Sequence, residues 1–405
     1  MDYTKKRWQV LIACCLVNLC IGSLYAWSVF AGPLLEKFNG LGANLSSLAI
    51  VFTIANGVGP ITMISGGFFN DRLGPKWVIF LGGILFGLGM IFSGRVTGLG
   101  GLILTYGLMV GLGIGLIYGA TVSNCVKFFP DKKGLIGGLT TAAYGASSVI
   151  IPPVVVRINA AMGIEKTFLI IGLVMLAVIC ASSFLILKCP DGFLPEGYVP
   201  PVRSGGNKAV DYDWKGMLKS VTFYVMFLML LCGAFSGLMV TSSASAFSQK
   251  MAGMDVAQAA NIVSLIALFN TFGRIAAGYI SDKIGAVNTM SLSFVLAILG
   301  QLCVYFSQNG NALYYLGCAL IGFCFGSLMG TYPGFTAGQF GSKHNSVNYG
   351  IMFIGFAAAG YFGPQIMNSI YAAGGQYRPA FLVAAGMSAV GLILSFLFRK
   401  LQVRH

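Results

Sequence analysis

The chain has 405 residues, of which 57% are hydrophobic and only 9% charged, where an average soluble protein is about 25% charged. So few charges cannot cover so much apolar surface in water, which excludes an ordinary soluble fold and leaves lipid as the solvent. Ten cysteines without a CxxC pair, and two histidines, His344 and His405, outside the apolar runs, point to no metal, no cofactor and no disulfide framework.

Twelve apolar runs are long enough to cross a bilayer, which takes about 20 residues each. They are 8–34, 47–69, 76–94, 98–128, 134–158, 167–187, 220–248, 257–281, 287–307, 311–336, 347–372 and 377–398. The first follows Lys5, Lys6 and Arg7 like a secretory signal. It is too long for one and closes on YAWSVFAGPLL without a small-residue cleavage site, so it reads as a retained span. Asn44-Leu45-Ser46 fits a glycosylation acceptor and, better, the cap of the second span. Gly107, Gly111, Gly115 and Gly119 make a stripe in the fourth span that predicts close packing on another helix. Segment 188–219 carries Pro190, Pro195, Pro200, Pro201, Gly205 and Gly206 and reads as a linker, with a short interfacial helix around Trp214 to Lys219.

With both termini inside, the inner segments hold eighteen of the 25 Lys and Arg, the outer segments six, and Arg274 lies within a span. The positive-inside rule then puts both termini in the cytoplasm. The net charge of +14 is a topology signal and no nucleic-acid footprint. A shift of 211 residues lays GFFNDRLG at Gly67 to Gly74 on GYISDKIG at Gly278 to Gly285. It also lays Gly111, Gly115 and Gly119 on Gly322, Gly326 and Gly330, and Pro153 on Pro364. Three landmarks with one offset mark a parallel repeat, the pattern of transporters that bind substrate between repeats near the midplane. The expected architecture is an all-α membrane protein of twelve transmembrane helices in two six-helix pseudo-symmetric bundles. Residues 1–187 and 220–405 are the bundles, and 188–219 is the cytoplasmic linker.

The G-x-x-x-D-R-x-G-x-K run at Gly67 to Lys76 resembles the cytoplasmic loop signature of the major facilitator superfamily, and Gly278 to Gly285 its degenerate second copy. Within it, GSLYAWSVFAGPL at Gly22 to Leu34 and DYDWKGML at Asp211 to Leu218 look like the oxalate/formate antiporter family. FGRIAAGYISD at Phe272 to Asp282 resembles that family and the monocarboxylate transporters. Asp71, Arg72 and Asp282 lie at helix ends, where they can pair with neighbours and act as gating residues.

All eleven acidic residues lie in loops or at span ends, and Arg274 is the one strongly basic residue inside a span. It stands eight residues before Asp282, roughly 12 Å into a core about 30 Å thick. An intramembrane arginine is a functional hypothesis by default. The structural alternative needs an acid at the same depth, and the sequence has none. Arg274 therefore waits for an external anion, whose carboxylate a guanidinium holds bidentately. In both resembled families an arginine in this span binds substrate carboxylate. Asn270, at i−4, shares its face, to orient the guanidinium or touch substrate. Animal monocarboxylate transporters carry an aspartate at this relative position, so the asparagine removes their proton-linked carboxylate. Tyr25, Tyr118 and Tyr332, deep in the first, fourth and tenth spans, offer hydroxyls and apolar faces, with packing as the alternative for each. Asn56 and Asn124 are weaker polar candidates, and Trp27 and Trp77 read as packing or belt residues. Oxalate transporters of the resembled family carry a lysine in the eleventh span as a second cation. That position falls here at Phe356, and no Lys or Arg occurs between Lys343 and Arg378.

The expectation is a secondary transporter of small monocarboxylates such as lactate or pyruvate, a multi-pass protein of the plasma (inner) membrane. Its partners are a small organic anion, protons and the bilayer. Oxalate/formate-type dicarboxylate antiport is the alternative, and a non-transporting nutrient sensor on the same fold is the rival from another class. No nucleophile–base pair, metal cluster or phosphate loop supports an enzyme.

Overall fold

The computed structural model describes residues 2–38, 45–199, 211–307 and 312–402, and among them it forms helices and turns and no strand. In lipid each backbone N–H and C=O has to be satisfied within the protein, which long helices accomplish alone. Among the described residues, eleven helices are long and apolar enough to span a membrane. They are α1, Tyr3–Lys37; α2, Leu45–Leu73; α3, Pro75–Arg95; α4, Leu99–Phe128; Lys133–Leu185; α7, Val221–Thr241; α8, Val256–Ile284; α9, Ala286–Phe306; α10, Ala312–Phe340; α11, Asn345–Gly374; and α12, Arg378–Gln402.

Lys133–Leu185 has 53 residues, which at 1.5 Å each would reach roughly 80 Å, far beyond one crossing. Gly163 breaks it at φ 79°, ψ 167°, a left-handed conformation that glycine adopts without a Cβ penalty. The run is therefore α5 (133–162) and α6 (164–185), and the twelve expected spans are accounted for. The polar residues Arg157, Glu165 and Lys166 predict a loop; the helices instead continue through them and meet at one residue. A second difference lies at 220–248, expected as one span. The helix ends at Thr241 and a short helix, Ala244–Ala252, follows Ser243. Trp214–Lys219 forms the expected short helix, capped by Asp213, whose carboxylate accepts from the Gly216 N–H at 2.8 Å. The proposed Asn44 cap and linker residues 200–210 lie outside the described residues.

The chain divides into two compact units. The first comprises Met1–Asp131, Ala143–Asp211 and Phe340–Ile351, the second Lys132–Ala142, Tyr212–Gln339 and Met352–His405. Inside the first, α4 lies directly on α2. A methyl group added at Gly111 would stand 2.6 Å from the Ala55 carbonyl oxygen, and one at Gly115 would overlap that of Gly59. Inside the second, α10 lies on α8 in the same way, with Gly322, Gly326 and Gly330 against the backbone of Ile266, Asn270 and Arg274. Small residues that let backbones approach drive such packing in membranes. The 211-residue repeat is thus a packing repeat, down to the residue that each glycine touches.

Candidate functional site

That register assigns partners across the repeat. Asn270 and Arg274 stand where the first half has Gly59 and Met63, since each pair backs onto the same glycine stripe. The second half therefore departs from its own template by placing an amide and a cation on α8. Arg274 is 2% exposed. Its backbone is hemmed in by Gly330 of α10 and Gly138 of α5, where any side chain would overlap the Arg274 carbonyl. The three helices so fix where the guanidinium starts from.

The guanidinium has five N–H donors. Nε donates to Asn270 Oδ1 at 3.0 Å and Nη1 to the Thr141 carbonyl at 2.8 Å. Both acceptors are neutral, so they orient the fork without cancelling its charge. Among the described residues Arg274 has no carboxylate partner, and Nη2 donates to none of them. Asn270, itself buried, acts as the orienting residue that i−4 spacing suggests.

The aromatic candidates separate into groups. In the first unit Tyr25, on a 3₁₀ segment of α1, meets Tyr144 of α5 edge-on at 5.2 Å between ring centroids, and Tyr144 meets Tyr118 of α4 at 5.4 Å. Tyr144 is the residue that sequence reading missed. It looks like any aromatic in an apolar run, and only packing places it between the other two. In the second unit Tyr332 is fully buried, and its hydroxyl donates to the Met226 carbonyl of α7 at 2.8 Å. Phe356 stacks on Phe353 at 4.6 Å and lies parallel to Phe325 at 6.3 Å. Asn56 and Asn124 donate to backbone carbonyls of Phe52 and Leu187. Trp27 packs on Tyr106, and Trp77 is exposed.

Two acids at helix ends, Asp71 and Asp282, are engaged. Asp71 accepts from Lys127 Nζ at 2.7 Å and from the Val347 N–H at 3.3 Å, in the first turn of α11. Asp282 accepts from the N–H groups of Gly134 and Leu135 at 2.7 and 2.8 Å, in the first turn of α5. A carboxylate there satisfies orphan donors and meets the positive end of the helix dipole. Each contact lies within one unit, and the two are related by the repeat. The Arg72 side chain is exposed, and its carbonyl accepts from Lys188.

The sequence model described as "Major Facilitator Superfamily" matches residues 11–364. The chain is 31% identical, over 88% of its length and 86% of the relative's, to an uncharacterised MFS-type transporter, YhjX, of Escherichia coli (strain K12). It is 27% identical to the oxalate:formate antiporter of Oxalobacter formigenes, over 96% of this chain and 91% of that one. Among solved structures it is similar to FucP in its outward conformation, with a TM-score of 0.70 over 96% of this chain and 99% of that one. At 14% identity this likeness concerns the fold.

Proposed function

The chain belongs to the Major Facilitator Superfamily, a family of secondary transporters and not enzymes, and from that premise we propose that it carries small monocarboxylates across the membrane by alternating access. One observation carries the reading: a buried arginine in α8 whose described partners are two neutral oxygens. A charge in that position is expensive unless something neutralises it, and a substrate carboxylate supplies the missing anion in the geometry the fork prefers. The kinship to an oxalate:formate antiporter supports a small carboxylate as the class. Asn270 orients the fork, Tyr25 and Tyr118 offer hydroxyls and ring faces, and the Phe356 stack offers an apolar surface. Tyr332 serves by fixing α10 to α7.

The choice of monocarboxylates rests on charge balance. Arg274 contributes one positive charge, and α11 has no Lys or Arg. A monocarboxylate leaves the occupied site neutral, while oxalate leaves one negative charge over. Even at an effective dielectric constant of 20, a unit-charge contact at 4 Å is worth about 4 kcal/mol. Single hydrogen bonds to a charged group contribute about 1.5–3 kcal/mol.

Uptake is proton-coupled in this reading without a dedicated carboxylate as proton carrier, since the substrate meets Arg274 as the anion. The acids nearest the spans are committed to partners: Asp71 to Lys127, Asp131 to Arg7, and Asp282 to a helix end. Asp71, Arg72 and Asp282 belong to the gating ends of two repeat halves joined by the 188–219 linker. Both termini face the cytoplasm of a plasma (inner) membrane. Exchange of oxalate for formate is the second reading, favoured by the name of the Oxalobacter relative.

Uptake of labelled lactate or pyruvate into proteoliposomes, with and without an inside-alkaline gradient, separates the two. Gradient-driven uptake into vesicles without internal anion supports symport. Uptake that ignores pH and requires a trapped counter-anion supports exchange, and no uptake of any small carboxylate ends the transport assignment to this class.

A further inference from the structure

Apart from the Arg274 site, the second unit contains a small cavity of about 20 Å³ between α7, α9, α10 and α12. Its walls are mostly apolar, including Phe294, Ile321 and Leu328, but Ser236, Ser293, Gln301 and Ser388 also line it. All four polar side chains are more than nine-tenths buried.

Their hydrogen bonds do not close. The Gln301 amide nitrogen donates to Ser236 Oγ at 3.0 Å, and Ser388 Oγ donates to the same oxygen at 3.0 Å. Ser236 thus accepts twice, and its own O–H is left to donate. At the other end of the amide, Gln301 Oε1 is buried and has no partner among the described residues. One donor short and one acceptor short, around a cavity, is the arrangement a single two-handed molecule completes. A buried acceptor left unpaired costs about 1–3 kcal/mol, and in a membrane bundle no bulk water is at hand to relieve it.

We propose that this cavity is a binding site for one resident water molecule, which donates to Gln301 Oε1 and accepts from Ser236 Oγ–H. The volume exceeds the ~10–15 Å³ that one water requires, and such waters need two to four polar partners. A metal cation is a poorer occupant, because the lining contains no carboxylate and the Ser236 hydroxyl is left to donate. The water ties α7 to α9, beside the direct Ser388 bond that joins α12 to α7, so it belongs to the fold and stays through the transport cycle.

The test uses the full chain in crystals grown with and without xenon pressure, since dry apolar cavities take up xenon and hydrated polar ones keep their water. Wild type is expected to show solvent density within hydrogen-bond distance of both Gln301 Oε1 and Ser236 Oγ, and no xenon. Gln301→Met, nearly equal in volume and without hydrogen-bonding groups, is expected to lose the water and admit xenon. Xenon in the wild-type cavity overturns the proposal, as does an empty cavity in a map that resolves other buried waters. Thermal unfolding of wild type in sodium chloride and in choline chloride is expected to coincide. A sodium-dependent rise would make the occupant a cation and overturn it equally. The wild-type measurements decide the matter even if the variant does not fold.

Discussion

A guanidinium buried beside two neutral oxygens is oriented but not neutralised, and the behaviour of its variants follows. Arg274→Ala removes a buried charge without stranding an acid, so uptake is expected to vanish while the unfolding midpoint stays or rises. Arg274→Lys is expected to fail as well, because a point charge does not reproduce the fork. Asn270→Leu deletes the Nε contact. A hydrogen bond to a charged group is worth about 1.5–3 kcal/mol, so the apparent KM is expected to rise roughly tenfold or more. Asn270→Asp is the sharper probe. It would set a carboxylate at the 3.0 Å contact that competes with the substrate for the fork, so stability is expected to rise and apparent affinity for the anion to fall. Full transport by Arg274→Ala in folded protein, or by Asn270→Asp with its stability unchanged, would remove the anion site.

At the level of helices, two features give measurable expectations. The glycine stripe of α10 backs directly onto α8, and a methyl at Gly326 would overlap the Asn270 carbonyl, whereas one at Gly338 of the same helix would meet nothing within 4 Å. Gly326→Ala is therefore expected to lower stability by about 1–3 kcal/mol through overpacking. Gly338→Ala should be neutral or mildly stabilising, since alanine is the better helix former. Thermal unfolding of the pair checks this, and equal midpoints would contradict the packing. The second feature is the acid at each helix start. Asp282→Asn removes the charge and one of two oxygens that receive the Gly134 and Leu135 N–H groups. A loss of about 1 kcal/mol is expected, with uptake slowed and equilibrium substrate affinity unaltered if the contact gates. Elsewhere, Lys37 hydrogen-bonds Glu165 at 2.7 Å, and that bond, then its charge, lowers the Glu165 pKa. The folded value lies below the unfolded one, so the contribution is present at neutral pH and lost as pH falls through the folded value. Glu165 is largely exposed, so Glu165→Gln should change the midpoint slightly at pH 7 and not at all below the folded pKa.

For the whole molecule the decisive measurement is competition among acids. With one cation in the site and none along α11, formate and acetate are expected to displace labelled lactate better than oxalate does, and the reverse order would sink the monocarboxylate reading. Phe356→Lys adds the missing charge in place of a ring stacked on Phe353. It should weaken lactate uptake and improve oxalate binding. The composition fits this economy of charge: the eleven acids stay at the ends, and the spans are left with a single fixed cation.

Much of this was legible in the residues alone. The number of spans, the 211-residue repeat and the isolation of Arg274 all follow from the cost of placing charge in lipid, which confines acids to the ends and makes one exception conspicuous. Asn270 was legible because i−4 neighbours share a helix face. Distant partners were not. Thr141 supplies a backbone carbonyl 133 residues from Arg274, and any residue type has one, so no sequence signal marks it. Tyr144 joins Tyr25 to Tyr118 only because α5 packs there. Asp71 pairs with Lys127 rather than with adjacent Arg72, since side chains at i and i+1 on a helix point apart. Gly163 as the single break in 53 residues was likewise hidden, because hydropathy locates apolar runs and not the one backbone angle that turns the chain. Local periodicity and transfer energies were enough to determine the spans; which groups meet across helices depended on side-chain packing, and that exists only in the folded protein.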